Sequence, residues 1–89
     1  MKLSGQNILV TGATGAIGQA VCHALVADGA NVVVHCSRNR DTAETLVKAL
    51  DGRGWCVSAD LSDPAGPQVL WDQALAVAGR LTGLVNNAC

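Results

Sequence analysis

The hydrophobic positions of this chain form short apolar runs that alternate with longer stretches of helical periodicity. The apolar runs predict four strands, at residues 7–11, 31–36, 55–59 and 83–87. Between them, apolar residues recur at three- and four-residue steps and predict helices over 16–28, 41–50 and a third stretch that begins after residues 62–64. This alternation is typical of right-handed crossovers in a parallel sheet. The predicted organisation is therefore βαβαβαβ.

The same pattern predicts which side of each element faces the core. In the first helix, apolar residues stand at four-residue steps, at Ile17, Val21 and Leu25. The second and third helices carry comparable apolar stripes, made of Ala43, Leu46, Val47 and Leu50, and of Leu70, Ala74, Val77 and Leu81. The valine run at 32–34 suits a strand that is covered on both faces. Both tryptophans, Trp55 and Trp71, are expected to pack between sheet and helices.

Length and composition narrow this picture to one incomplete domain. The chain has 89 residues, of which 49% are hydrophobic, and domains usually run to about 100–150 residues. It stops directly after the fourth predicted strand, with no neighbour to protect that edge, which predicts a fragment of a longer protein. The net charge of -1 argues against a nucleic-acid or anionic-membrane surface. No apolar run approaches a membrane span and no signal-peptide pattern opens the chain.

Four cysteines, at positions 22, 36, 56 and 89, are spaced too widely for CxxC chemistry or a zinc knuckle. Two disulfides are possible in principle. Three of the four fall in or beside predicted elements, where cysteine usually acts as a small buried hydrophobe. We therefore expect packing roles and a reducing, cytoplasmic compartment, with reactive or metal-binding roles as the alternative.

The candidate chemistry begins at residues 11–18, which read TGATGAIG and join the first strand to the first helix. Glycines at such a junction permit a tight turn and let a phosphate approach the backbone closely. The N–H groups and the positive end of the helix dipole then face the anion. The run thus predicts the first βα turn of a dinucleotide-binding unit.

Three further features lie at the carboxyl ends of the other strands, where open α/β sheets bind ligands. Ser37 and Arg38 follow the second strand, where an acidic residue would bind the ribose of NAD and a basic one the extra phosphate of NADP. A hydroxyl beside a guanidinium suits a phosphomonoester. The alternative is an ordinary solvated loop arginine. His35, just before them, is expected to line the adenosine rim.

Asp60 and Leu61 follow the third strand, where a carboxylate can accept a hydrogen bond from an adenine amine while the leucine packs on the ring. Alternatively, Asp60 only ends the strand or caps a turn. The fourth strand closes with Asn86, Asn87 and Ala88. Because successive strand side chains point in opposite directions, one amide can tie strands together while the other reaches a cofactor.

Together these pieces resemble the N-terminal part of a short-chain dehydrogenase/reductase, over essentially the whole chain. The resemblance implies a Rossmann-type parallel α/β sheet with flanking helices, and residues 1–89 would form its truncated NAD(P)-binding half-domain. Ketoacyl-carrier-protein reductases are similar members, and residues 35–39 resemble the strand ends of NADP-dependent ones. The implied cofactor is NADP, with NAD less favoured. The implied contacts are Gly12, Thr14, Gly15, Ile17 and Gly18 at the pyrophosphate, Ser37 and Arg38 at the 2′-phosphate, Asp60 and Leu61 at the adenine, and Asn87 and Ala88 near the ribose.

The chain departs from the family pattern at two positions, and the first of them bears on the branch to which it belongs. The compact branch normally has glycine where Ala16 stands, and the Gly-x-x-Gly-x-x-Gly spacing found here is that of the extended, epimerase-like branch. Residues 86–88 favour the compact branch. The family also usually has glycine where Cys89 stands.

The family's Ser, Tyr and Lys catalytic set lies downstream of the Asn-Asn-Ala motif, and this chain contains no tyrosine. The resemblance therefore implies an oxidoreductase acting on a carbonyl or alcohol substrate, homo-oligomeric as the parent protein, with the 89 residues supplying cofactor binding only and no catalytic residue. The alternatives are a non-catalytic NAD(P)-binding regulator and an extended-branch epimerase or dehydratase. A Tyr-x-x-x-Lys pattern beyond Cys89 would distinguish the enzyme from the regulator.

Overall fold

A computed structural model describes residues 2–87 and contains the predicted seven elements in the predicted order. They are β1 Asn7–Thr11, α1 Ala16–Ala27, β2 Asn31–Cys36, α2 Arg40–Lys48, β3 Gly54–Ser58, α3 Gly66–Ala78 and β4 Gly83–Asn86. The first two strands match the prediction in full, and the other bounds differ by one or two residues. Gly29 directly follows the C-cap of α1, Asp28, and has a φ of 99°, a conformation that glycine adopts without strain.

All four strands are parallel and lie in the order β3-β2-β1-β4. The chain steps from β1 to β2 to β3 in one direction, then returns across the sheet to place β4 on the other side of β1. In register, Leu9 of β1 lies between Val33 of β2 and Leu84 of β4. The carboxyl ends of β1 and β4 therefore flank the point where the strand order reverses, and this is where open α/β sheets bind ligands.

Alternate residues of each strand enter two separate cores. On one face, Ile8, Val10, Val32 and Val34 pack against α1 and α2 through residues that include Cys22 and Leu46. On the other face, Leu9, Val33 and Val57 pack against Leu70 and Ala74 of α3. Helices on both faces of a parallel sheet confirm the predicted Rossmann-type class. The valine run at 32–34 is fully buried, as expected for a central strand.

Two predicted helix faces are partly wrong. Ile17 is 71% exposed, and α1 is instead buried at Gly18 and Cys22. The cause is the close approach of α1 to the preceding turn: a Cβ on Gly18 would lie 2.7 Å from the Ala13 Cα. This contact sets the glycine side of the helix against the protein and turns Ile17 outward.

In α3, Leu70 and Ala74 are buried as predicted, but Val77 is exposed and Ala78 packs in its place. Trp55 packs against the α3-side core, whereas Trp71 is 43% exposed, so its predicted burial is wrong. The reason is that α3 packs mainly against β2 and β3, so among residues 2–87 its side towards β4 borders an open groove.

That uncovered side forms an apolar groove of about 290 Å³ beside β4. Its lining includes Leu61, Trp71 and Leu84, and Leu84 is 57% exposed. Among the described residues, no helix has the length and apolar character needed to cross a membrane.

Candidate functional site

The glycine-rich turn lies at the reversal point of the sheet, between the end of β1 and the start of α1. Gly12 has a φ of +59°, which permits the sharp change of direction directly after β1. Ala16 begins the helix, so the extra methyl it carries in place of a family glycine is accommodated by ordinary helical backbone. The turn thus forms without the additional glycine of the compact branch.

The amino end of α1 is open at Gly15. This residue is the N-cap, has extended backbone (φ −73°, ψ 168°) and supplies no side-chain cap. A Cβ built on Gly15 would meet none of the described part of the chain within 4 Å. The N–H of Gln19 donates to the Gly15 carbonyl at 2.9 Å, and the amides of the preceding helical turn face the open end. An anion therefore has both space and donors here.

Gly18 belongs to the same motif, but its role is to let α1 pack closely against the turn. A Cβ there would lie 2.7 Å from both the Ala13 Cα and the Gly12 carbonyl oxygen. Gly18 is therefore needed for the contact between helix and turn, whereas no atom of residues 2–87 fills the space beside Gly15. Thr14 directly precedes Gly15, and its carbonyl accepts a hydrogen bond from the Gln19 side chain at 2.7 Å.

A small hydrogen-bonded network links the turn to β4. The Thr11 hydroxyl donates to Asn86 Oδ1 at 3.1 Å and accepts from the Asn87 N–H at 3.0 Å. The Asn87 amide Nδ2 donates to the Gly12 carbonyl at 3.2 Å. Both neighbouring asparagines therefore contact β1 or its turn. Ala88 and Cys89 lie outside the described residues.

The buried side chain of His35 also contacts this turn. The Gly12 N–H donates to His35 Nδ1 at 3.0 Å, and His35 Nε2 lies 2.9 Å from the Ala59 carbonyl oxygen. With only 1% of its surface exposed, His35 does not line an open rim, so that prediction is wrong. The strand pattern placed it in β2 but could not reveal which loops close over the strand end.

A second, exposed part of the site follows β2 and β3. Ser37 and Arg38 are both exposed, and so is Asp60. Asp60 Oδ1 accepts from the Ser62 N–H at 2.9 Å and from the Ser62 hydroxyl at 2.6 Å. These bonds hold the pKa of Asp60 below its usual value, and the nearby positive charge of Arg38 lowers it further. Asp60 thus caps a turn and also presents a carboxylate beside a cation.

Gly66, which motif reasoning missed, sets the position of Asp60. It is the first residue of α3, and a Cβ on it would overlap the Asp60 carbonyl oxygen. The start of α3 therefore lies directly against the backbone at the end of β3. The available signal was the Gly66-Pro67 pair, since proline is favoured at the start of a helix.

The described cysteines have no disulfide partners. Cys22 and Cys36 are buried and Cys56 is half-buried. Burial raises the pKa of Cys22 to about 11, so this thiol stays neutral and packs as an apolar group. Burial also raises the pKa of Cys56. Within residues 2–87, no group of three or more potential ligands is placed to hold a metal ion.

The family model for short chain dehydrogenases matches residues 6–89. The chain belongs to this family. It is 39% identical to an uncharacterised oxidoreductase of Methylorubrum extorquens over 98% of its own length and 36% of the relative's. It is 40% identical to a 2,5-dichloro-2,5-cyclohexadiene-1,4-diol dehydrogenase of Sphingobium indicum, over 97% of this chain and 34% of the enzyme.

Among solved structures, the chain is similar to a blue fluorescent protein from a metagenomic library, solved in complex with NADPH. The TM-score is 0.90 and the sequence identity is 33%. The match covers 99% of the present chain and 38% of that protein. The chain thus spans about a third to a half of the length of the relatives it matches. It shares their nucleotide-binding type of fold and belongs to an oxidoreductase family.

Proposed function

We propose that this chain is the NADP(H)-binding portion of an oxidoreductase that transfers a hydride between NADP(H) and a carbonyl or alcohol substrate. The observation that carries the proposal is the open amino end of α1 at Gly15. There, a glycine that the protein's own packing does not require leaves room for a phosphate beside unpaired helical amides. Its position at the reversal point of the sheet supports a nucleotide rather than an incidental anion.

The residues around the turn divide naturally between the parts of a dinucleotide. Gly12, Thr14, Gly15 and Gly18 would surround the pyrophosphate, and the exposed Ile17 would offer apolar contact beside it. Asn87, and Ala88 after it, would approach the ribose at the end of β4.

The adenosine end would lie across the ends of β2 and β3. The exposed Arg38 supplies a planar set of donors suited to a 2′-phosphate, with the Ser37 hydroxyl next to it. Asp60 and Leu61 would take the adenine. One Asp60 oxygen is engaged with Ser62, and the second oxygen of a carboxylate has its own acceptor capacity.

The cofactor, when bound, supplies the hydride, and the chain's own residues bind and orient it. The chain has no tyrosine, and its only lysines are Lys2 and Lys48. We therefore propose that residues 1–89 alone bind NADPH without turning it over. Carbonyl-dependent NADPH oxidation by the purified chain, above a blank without protein, would contradict this.

Substitution of Gly15 tests the phosphate site directly. Gly15→Asp places a negative charge at the open helix end, where it repels a pyrophosphate but favours the helix as an N-cap. We expect NADPH affinity to fall at least about tenfold while the unfolding midpoint stays equal or rises. Gly15→Asn is the matched control, since it has the same shape and capping ability without the charge.

NADPH binding would be measured by titration calorimetry, and the stability of each variant by urea unfolding. The proposal predicts the order wild type, then Gly15→Asn, then Gly15→Asp in affinity, with no parallel loss of stability. Equal affinities for the two variants would remove the charge argument. An absence of NADPH binding by the folded wild-type chain would overturn the proposed function.

A further inference from the structure

We propose that His35 is a positioning residue that fixes the shape of the glycine-rich turn and couples it to the end of β3. The inference rests on the proposed function for its ligand, but its structural part is independent of any cofactor. The starting observation is that both ring nitrogens of a histidine with 1% exposure are engaged by backbone groups from two different loops.

The two contacts assign a single protonation state. A carbonyl oxygen only accepts hydrogen bonds, so the 2.9 Å contact with Ala59 requires a proton on Nε2. The Gly12 N–H only donates, so Nδ1 must be unprotonated to accept it at 3.0 Å. His35 is therefore the neutral Nε2–H tautomer. A proton on both nitrogens would set Nδ1–H against the Gly12 N–H.

The backbone carbonyl of His35 makes a second hydrogen bond to the same turn. The Ala13 N–H donates to the His35 carbonyl oxygen at 3.1 Å. One residue at the end of β2 thus accepts the N–H groups of two successive turn residues, Gly12 and Ala13. With these two amides held by the protein, the donors that face an incoming phosphate are those at the open end of α1. By accepting the Gly12 and Ala13 N–H groups, His35 leaves the amides at the start of α1 as the ones that can donate to the ligand.

The ring also joins the two parts of the candidate site. Gly12 lies in the pyrophosphate turn, and Ala59 immediately precedes Asp60 at the adenine edge. The imidazole spans the end of β2 between them. Because both partners are backbone groups, removing the ring takes the partner from a part-buried N–H and from a buried carbonyl, which is costly. We therefore expect the glycine-rich turn to shift in a variant that lacks the ring.

Three variants separate the two contacts. His35→Asn keeps an acceptor near the position of Nδ1 but is too short to reach Ala59. His35→Gln keeps a donor near the position of Nε2, and His35→Leu keeps neither. If His35 positions the turn, NADPH affinity, corrected for the folded fraction, falls about tenfold in His35→Leu and His35→Gln and is largely restored in His35→Asn.

A merely structural role predicts a different pattern. Stability would then fall in all three variants, while the corrected affinity stays at the wild-type value or falls equally in His35→Asn and His35→Leu. Either result would overturn the proposal. Affinity is measured by titration calorimetry and the folded fraction by circular dichroism under the same reducing conditions.

A measurement on the wild-type chain without cofactor keeps this inference separate from the proposed function. Nitrogen NMR of the imidazole should report a protonated Nε2 and an unprotonated Nδ1, and the amides of Gly12 and Ala13 should exchange slowly with solvent. The opposite tautomer, or rapid exchange of both amides, would overturn the inference even if NADPH binds. If both are found but NADPH does not bind, the proposed function fails and the assignment of His35 stands.

Discussion

At the scale of single residues, the same amino acid serves opposite purposes within one motif. Gly18 is a glycine because α1 contacts the turn, with a Cβ position 2.7 Å from the Ala13 Cα. Gly15 faces open space, and the protein itself would tolerate a side chain there. The spacing of glycines in the sequence indicated a phosphate turn but did not distinguish these roles. The distinction needs the helix position in three dimensions.

His35 shows a second limit of residue-level prediction. Its place in an apolar strand was visible in the sequence, but its partners Gly12 and Ala59 are more than twenty positions away in either direction along the chain. Only the parallel packing of β1, β2 and β3 brings them together. Long-range backbone contacts of this kind leave no local signal.

The choice between NADP and NAD is argued at Arg38. Arg38→Ala removes the cation that would meet the 2′-phosphate, so we expect NADPH affinity to fall at least about tenfold and NADH affinity to change little. Arg40→Ala is the control, because Arg40 is a neighbouring exposed arginine whose side chain pairs with Glu44 at 3.2 Å. Parallel titrations with NADPH and NADH give the comparison. Equal losses for the two cofactors in Arg38→Ala would remove the phosphate role.

At the scale of elements, hydrophobic periodicity predicted the existence, order and type of all seven elements. Periodicity predicted less well which face of each helix is buried, because it reports where apolar residues recur and not which residues they contact. Ile17 continues the apolar stripe of α1 yet is exposed, since the helix approaches the turn through Gly18. Val77 likewise continues the stripe of α3 but is exposed, because the helix turns its neighbour Ala78 towards the core instead.

Gly66 allows α3 to start against the backbone of Asp60, and this contact gives a prediction for the element. Gly66→Ala sets a Cβ against the Asp60 carbonyl oxygen, so helix or loop must move. We expect a loss of about 1–3 kcal/mol in the free energy of unfolding, the usual cost of overpacking. Urea unfolding measures it.

The control for this helix start is Gly15→Ala, which adds the same methyl at the amino end of α1, where the space is open. It should cost less than Gly66→Ala, since only the weaker capping preference of alanine acts there. A Gly66→Ala variant as stable as Gly15→Ala would show that the contact at Asp60 relaxes freely.

At the scale of the whole molecule, the parallel sheet with helices on both faces follows from the alternation seen in the sequence together with the right-handed crossover rule, whereas the strand order β3-β2-β1-β4 comes from the structure. The apolar run of β4 was recognised, but its exposure depends on what lies beside it. On the α3 face, Leu84, Trp71 and Leu61 border an apolar groove of about 290 Å³. The chain spans only about a third to a half of the length of its relatives, so a large part of their common fold lies outside it.

This groove predicts how the isolated chain behaves in solution. Leu84 is 57% exposed on a strand edge, so the groove should bind an apolar dye such as anilinonaphthalene sulfonate even when the chain is folded. Leu84→Gln should lower the dye fluorescence at least about twofold, because it replaces the largest exposed apolar side chain of β4 with a polar one. Val69→Gln is the matched control: Val69 is exposed on α3 but does not line the groove. Circular dichroism must show the same helix content in all three proteins, and an equal decrease in both variants would mean that the dye reports general exposure and not this groove.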